Sequence, residues 1–112
     1  MEIKEIQHGH FTTLTPIGDL DANSSMVMDG KIQEVIDSGC FNVHVDCSGL
    51  RYISSAGLGV FISFMDELAS NGGKFVFSNL TEHIHNVFQL LGLEQLMEIV
   101  QDANEAEKRF EP

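Results

Sequence analysis

Apolar positions along this chain change period repeatedly, and each change marks an element. From Ile3 to Gln7 apolar and polar residues alternate imperfectly. From Phe11 to Ile17 they alternate well, with Phe11, Thr13, Thr15 and Ile17 on one face, and the Gly9 region between the runs predicts a hairpin. Pro16 lacks an N–H for a ladder, which puts the end of the second strand at an edge or exit position. Gly18-Asp19-Leu20-Asp21 then reads as a loop. Ser24 or Ser25 can cap a helix that turns Met28, Ile32, Val35 and Ile36 inward and stops at Gly39. Gly30 lies inside that helix, where glycine costs about 1 kcal/mol relative to alanine.

Phe41 to Cys47 reads as a central strand, with Val43 and Val45 interleaved with Asn42, His44 and Asp46. A polar turn follows, and then Leu58, Phe61, Ile62, Met65, Leu68 and Ala69 recur in steps of a helical stripe. This second helix runs from about Ala56 to Ser70, with Ser55 as its natural N-cap and Asn71-Gly72-Gly73 as its stop. Lys74 to Ser78 is nearly continuous in apolar character, as in a parallel strand covered on both faces. Thr81 can cap a third helix with Ile84, Val87, Phe88 and Leu91 inward and Gly92 as its stop. Met97 to Val100 is a short last strand, and Asp102 to Phe110 reads as a terminal helix. The order β-β-α-β-α-β-α-β-α predicts one α/β domain over residues 1–112, with a core of about 3–100 and a terminal helix of about 102–110. Its sheet should be mixed, with right-handed crossovers and helices packed mainly on one face.

Length and charge narrow the function. A chain of 112 residues supports one hydrophobic core. Its 6 basic against 17 acidic residues give a net charge of −11, which argues against nucleic acid or an anionic membrane as a partner, since both bind by being neutralised. No apolar run approaches the ~20 residues that span a bilayer, and Met1-Glu2-Ile3-Lys4-Glu5 lacks the regions of a signal peptide, so a cytoplasmic location is expected. Cys40 and Cys47 flank one proposed strand and would stand about 23 Å apart, beyond disulfide reach. They read as ordinary thiols.

Candidate chemistry concentrates before the second helix. A serine at a helix N-terminus has its hydroxyl beside unpaired N–H groups, and the positive end of the helix dipole favours a phosphate there, so Ser55 could be both cap and switch. Gly57 and Gly59 are poor helix formers in the first turns. Either they pack the helix tightly on its strand or they let a partner approach the backbone. Asp21 reads as a turn or cap residue, and Asp46 as one that organises its turn through backbone N–H groups. The histidines His8, His10, His44, His83 and His85 read as surface groups; a pair such as His83 and His85 diverges on a helix and could not readily share an ion, and no metal or cofactor is expected. Met26 and Met28 flank the first helix near Asp21, where core filling is the ordinary role and an exposed methionine would suit a binding rim. The acidic tail Glu105, Glu107 and Glu111 reads as a solvated helix face.

Asp46-Cys47-Ser48-Gly49-Leu50 followed by Ile53-Ser54-Ser55-Ala56-Gly57-Leu58-Gly59-Val60 resembles the signature of the STAS domain, as found in bacterial anti-sigma factor antagonists. Gly18-Asp19-Leu20-Asp21 resembles the family's Gly-acid-Leu-Asp element, and the likeness spans about Ile3 to Val100. The resemblance implies a small α/β sandwich whose serine turn lies at one end of a central strand. It implies phosphorylation of Ser55 by an anti-sigma factor with serine kinase activity, reversal by a PP2C-type phosphatase, and a docking surface of Asp21, Ser54, Ser55, Ala56, Gly57, Leu58 and Gly59. Ser54 departs from the Asp of the best-known members. In the implied cycle the unphosphorylated protein binds the anti-sigma factor and frees the sigma factor. Other readings are a stressosome-like scaffold or a regulator of a secretion or motility pathway. A serine-nucleophile enzyme is disfavoured because no Gly-x-Ser-x-Gly elbow is present.

Overall fold

A computed structural model describes residues 1–111 and arranges them as β1 (Glu2–Gln7), β2 (Thr12–Leu20), α1 (Ser24–Asp37), β3 (Asn42–Asp46), β4 (Leu50–Ile53), α2 (Ser55–Ser70), β5 (Lys74–Ser78), α3 (Glu82–Leu90), β6 (Glu98–Ile99) and α4 (Ala103–Arg109). A 3-10 turn at Leu93–Gln95 precedes β6. The sheet is mixed, as the sequence predicts. β1 runs antiparallel to β2, whereas β2, β3, β5 and β6 are parallel neighbours in the order β1-β2-β3-β5-β6, and β4 adds to β2 in parallel.

Side-chain alternation assigns the two faces. Leu14, Leu20, Val43, Val45, Phe75 and Phe77 pack with Met28 and Ile32 of α1, Phe61, Phe64 and Leu68 of α2, and Ile84 and Phe88 of α3. The opposite face carries a smaller cluster of Phe11, Val76 and Val100 under Ala106 of α4 and Phe110 at its C-cap, with the Phe11 and Phe110 rings stacked at 4.8 Å. β5 is therefore covered on both sides, which accounts for its unbroken apolar run. Where α2 ends, a Cβ on Gly73 would sit 1.8 Å from the Phe41 carbonyl oxygen, so only glycine lets the chain turn into β5 here.

Several elements differ from the sequence reading. Residues 50–53, expected as part of a turn, form β4: Leu50 and Ile53 are buried while Arg51 and Tyr52 face solvent, a pattern too short to show a period. β2 continues through Gly18-Asp19-Leu20, expected as a loop, because these residues pair with β4 across a register shift between Gly18 and Asp19. Pro16 is consequently interior to the strand. β3 pairs with residues 12–14 and β4 with residues 18–20, so Pro16 falls in the gap between those partners, where a missing N–H removes no ladder bond from that side. On α2 the buried arc includes Val60 and Phe64, and Ile62 and Ala69 of the expected stripe face outward. α3 ends at Leu90, which leaves Leu91 exposed in the cap. His44, expected on the surface, is only 2% exposed between β2 and β5.

Candidate functional site

Two helices begin side by side. β2 and β4 are parallel, with Leu20 opposite Ile53, so the chain leaves the sheet at the same level into α1 and into α2. Asp21 and Ser54 are the next residues, one on each exit. Asp21 Oδ1 accepts the backbone N–H groups of Asn23 at 3.0 Å and Ser24 at 2.9 Å, while the Asp21 N–H donates to Ser24 Oγ at 2.9 Å. The Ser24 hydroxyl in turn donates to the Asp19 carbonyl at 2.7 Å. Asp21 is thus the group that satisfies the first N–H groups of α1, a role expected of Ser24 or Ser25. The Ser24 N–H, followed by the Ser24 hydroxyl, holds the Asp21 carboxyl below the usual carboxylate range, so it remains ionised at neutral pH.

Ser54, and not Ser55, is the N-cap of α2. Its backbone is extended (φ −89°, ψ 170°) and its Oγ accepts the Gly57 N–H at 3.1 Å. Its carbonyl takes the Leu58 N–H at 3.0 Å and its own N–H donates to the Leu20 carbonyl at 2.9 Å. That last bond explains the one-residue correction: tying Ser54 to the end of β2 keeps its backbone extended, so helical geometry begins at Ser55. Ser55 and Ala56 are exposed in the first turn, where backbone N–H groups have no partner earlier in the helix. The hydroxyl of Ser54 is used as a cap; that of Ser55 stands on the surface at the positive end of the helix.

The two glycines divide between the readings open to them. At Gly57 a Cβ would lie 2.7 Å from Leu20 Cγ and 3.0 Å from the Leu20 carbonyl oxygen, whereas at Gly59 it would meet nothing within 4 Å. Gly57 is a packing residue and Gly59 lies open on the surface. Gly57 and Leu58, expected within the docking stretch, are buried, so they support the surface from below. Asp46 Oδ1 accepts the Ser48 N–H at 3.0 Å and an Asn79 side-chain N–H at 3.2 Å, organising the turn before β4 as its residue type suggests. Arg51 pairs with Asp19 at 3.6 Å with both side chains largely in solvent, an arrangement that contributes little to stability.

Sequence reasoning missed Ser54 as the cap of α2, although it is a hydrogen-bonding side chain placed three residues before Gly57. The turn or cap role read for Asp21 is the one it takes, at the start of α1. Among the described residues no cluster of three or more His, Cys, Asp or Glu side chains is placed to hold a metal ion. Cys40 and Cys47 are free thiols, and burial pushes the Cys47 thiol well up from its ordinary range. No helix among the described residues is long and apolar enough to cross a membrane.

A family model described as Mlab, STAS domain matches residues 5–101. The chain belongs to the STAS domain family. Among curated relatives of this STAS domain, the anti-sigma-B factor antagonist of Staphylococcus epidermidis is 27% identical over 99 residues, covering 88% of this chain and 92% of the relative. Of solved structures, a Thermotoga maritima protein superposes with a TM-score of 0.90 at 20% identity, covering 96% of this chain and 93% of that one. The Bacillus cell fate determinant SpoIIAA in its phosphorylated form superposes with a TM-score of 0.75 at 22% identity, covering 98% of this chain and all of that one. At these identities the structural likeness establishes the fold, a mixed α/β sandwich with the serine turn at the head of α2.

Proposed function

We propose that this STAS domain is an anti-sigma factor antagonist controlled by phosphorylation of Ser55. The observation that carries the reading is the division of labour at the start of α2, where Ser54 caps the helix and Ser55 presents its hydroxyl outward at the helix N-terminus. The unphosphorylated protein binds an anti-sigma factor with serine kinase activity and releases the sigma factor. Asp21, Ser54, Ser55, Ala56 and Gly59 form the docking surface, held from below by Gly57 and Leu58. A phosphate on Ser55 brings about −1.5 to −2 charges and three acceptor oxygens into a flush interface, ending docking without refolding the domain. A PP2C-type phosphatase restores the active form. The domain needs no cofactor and is not an enzyme: the ATP belongs to the kinase, and the cycle runs in the cytoplasm. The names of the curated relatives support the sigma-factor reading over a scaffold role.

The test is phosphopeptide mapping after incubation with ATP and the kinase, combined with binding measurements on two variants. One phosphate on Ser55, retained binding by Ser55→Ala and lost binding by Ser55→Asp are expected. Equal binding by both variants rejects the switch.

A further inference from the structure

Two glycines stand inside helices with no internal demand for them. At Gly30 of α1, as at Gly59 of α2, a Cβ would meet nothing within 4 Å, and neither backbone is left-handed, so alanine would fit both positions and favour the helix. Beside each glycine the helix leaves apolar side chains in solvent. Met26 (77% exposed) and Val27 (51%) stand about one turn before Gly30, and Ile62 (45%) stands three residues after Gly59. α1 and α2 pack against each other on one face of the sheet and start at adjacent strand ends, so these patches lie on neighbouring helices that both start beside the Ser55 turn. Acidic groups predominate around them. Asp19, Asp21, Asp29 and Asp66 are exposed, whereas Lys31 is already paired with Glu5 and Glu34, Arg51 with Asp19, and the Met1 ammonium lies near Asp21.

We infer that the anti-sigma partner docks across both helices, bringing its backbone close at Gly30 and Gly59 and covering Met26, Val27 and Ile62 with apolar side chains inside a rim of Lys and Arg. This rests on the antagonist reading and adds the outer face of α1 from Met26 to Gly30 to the docking surface. A glycine without internal contacts permits close backbone approach, methionine adapts to an irregular partner, and an apolar centre with a charged rim is ordinary interface anatomy. Net charge of −11 makes a basic rim the complementary one.

Two measurements test this. Thermal melts of Gly30→Ala and Gly59→Ala should each show a midpoint raised by about 4 °C, because nothing inside the domain opposes the added methyl. A lowered midpoint in either would mean that the glycine serves the fold, and would overturn the inference. Calorimetric titration with the protein's own anti-sigma factor should show at least tenfold weaker binding for Met26→Glu and for Gly30→Gln, with unchanged circular dichroism, and weaker binding of the parent protein at higher salt. Unchanged binding by both variants overturns the inference and leaves the antagonist function standing. A parent protein that binds no anti-sigma factor overturns that function and this surface together.

Discussion

The Leu20 carbonyl accepts the Ser54 N–H at 2.9 Å, and the side chain of the same leucine occupies the space a Cβ would need at Gly57. One residue at the end of β2 therefore sets both the entry of α2 and its distance from the sheet. Because Asp21 follows Leu20 and caps α1, the two parts of the proposed docking surface share a single anchor. Their relative position is fixed by the sheet pairing of Leu20 with Ile53 rather than by loop conformation.

Gly57→Ala tests this anchor. The new methyl would press on Leu20 Cγ and on the Leu20 carbonyl, and overpacking of this kind costs about 1–3 kcal/mol. The urea midpoint should fall with an unchanged slope, and anti-sigma factor binding should weaken because the Ser55 turn is displaced. A midpoint equal to that of the parent protein would show that α2 can move off β2 freely.

Substitutions at the adjacent serines should separate. Ser54→Ala removes the acceptor for the Gly57 N–H and should cost about 1 kcal/mol. Ser54→Asp restores an acceptor and places a negative charge at the helix N-terminus, so its stability should return to that of the parent or exceed it. Ser55→Ala removes no cap and should change stability little. Denaturant melts of the three variants check the order; a larger loss at Ser55 than at Ser54 would reverse the assignment.

Much of this arrangement was legible in the sequence, and the exceptions have a common cause. α1, β3, β5, α4 and the cap of α3 followed from period and stop residues or from Thr81, whereas Asp102, read as the first residue of the terminal helix, is its N-cap. β4 has only Leu50 and Ile53 to anchor it, and the last residues of β2 exist as strand only because β4 pairs with them; this mutual dependence leaves no local signal. The motif marks the serine turn, but the apolar period alone puts its cap one residue late. The deciding bond, Ser54 to Leu20, is long-range. Likewise Ile62 fits the apolar period of α2, and only the packed orientation of the helix shows that it faces outward.

His44 makes stability depend on pH. Its Nδ1 is hydrogen-bonded with Thr13 Oγ1 at 3.0 Å and its Nε2 with Ser78 Oγ at 2.6 Å, and Thr13 Oγ1 continues to His8 Nε2 at 3.0 Å. Burial lowers the His44 pKa from the ordinary 6.5; the nearby Asp46 carboxylate opposes this shift and His8 adds to it. The folded state thus prefers the neutral ring, and the unfolded chain binds more protons as the medium is acidified. This contribution is fully present above pH 6.5 and is lost as pH falls through the lower folded-state value. Urea midpoints should therefore decline between pH 7.5 and 5.5 in the parent protein and decline less in His44→Asn. Observation of the His44 ring by NMR should give a titration midpoint below 6.5. A midpoint above that value would mean that Asp46 outweighs burial, and stability would then rise on acidification through this range instead.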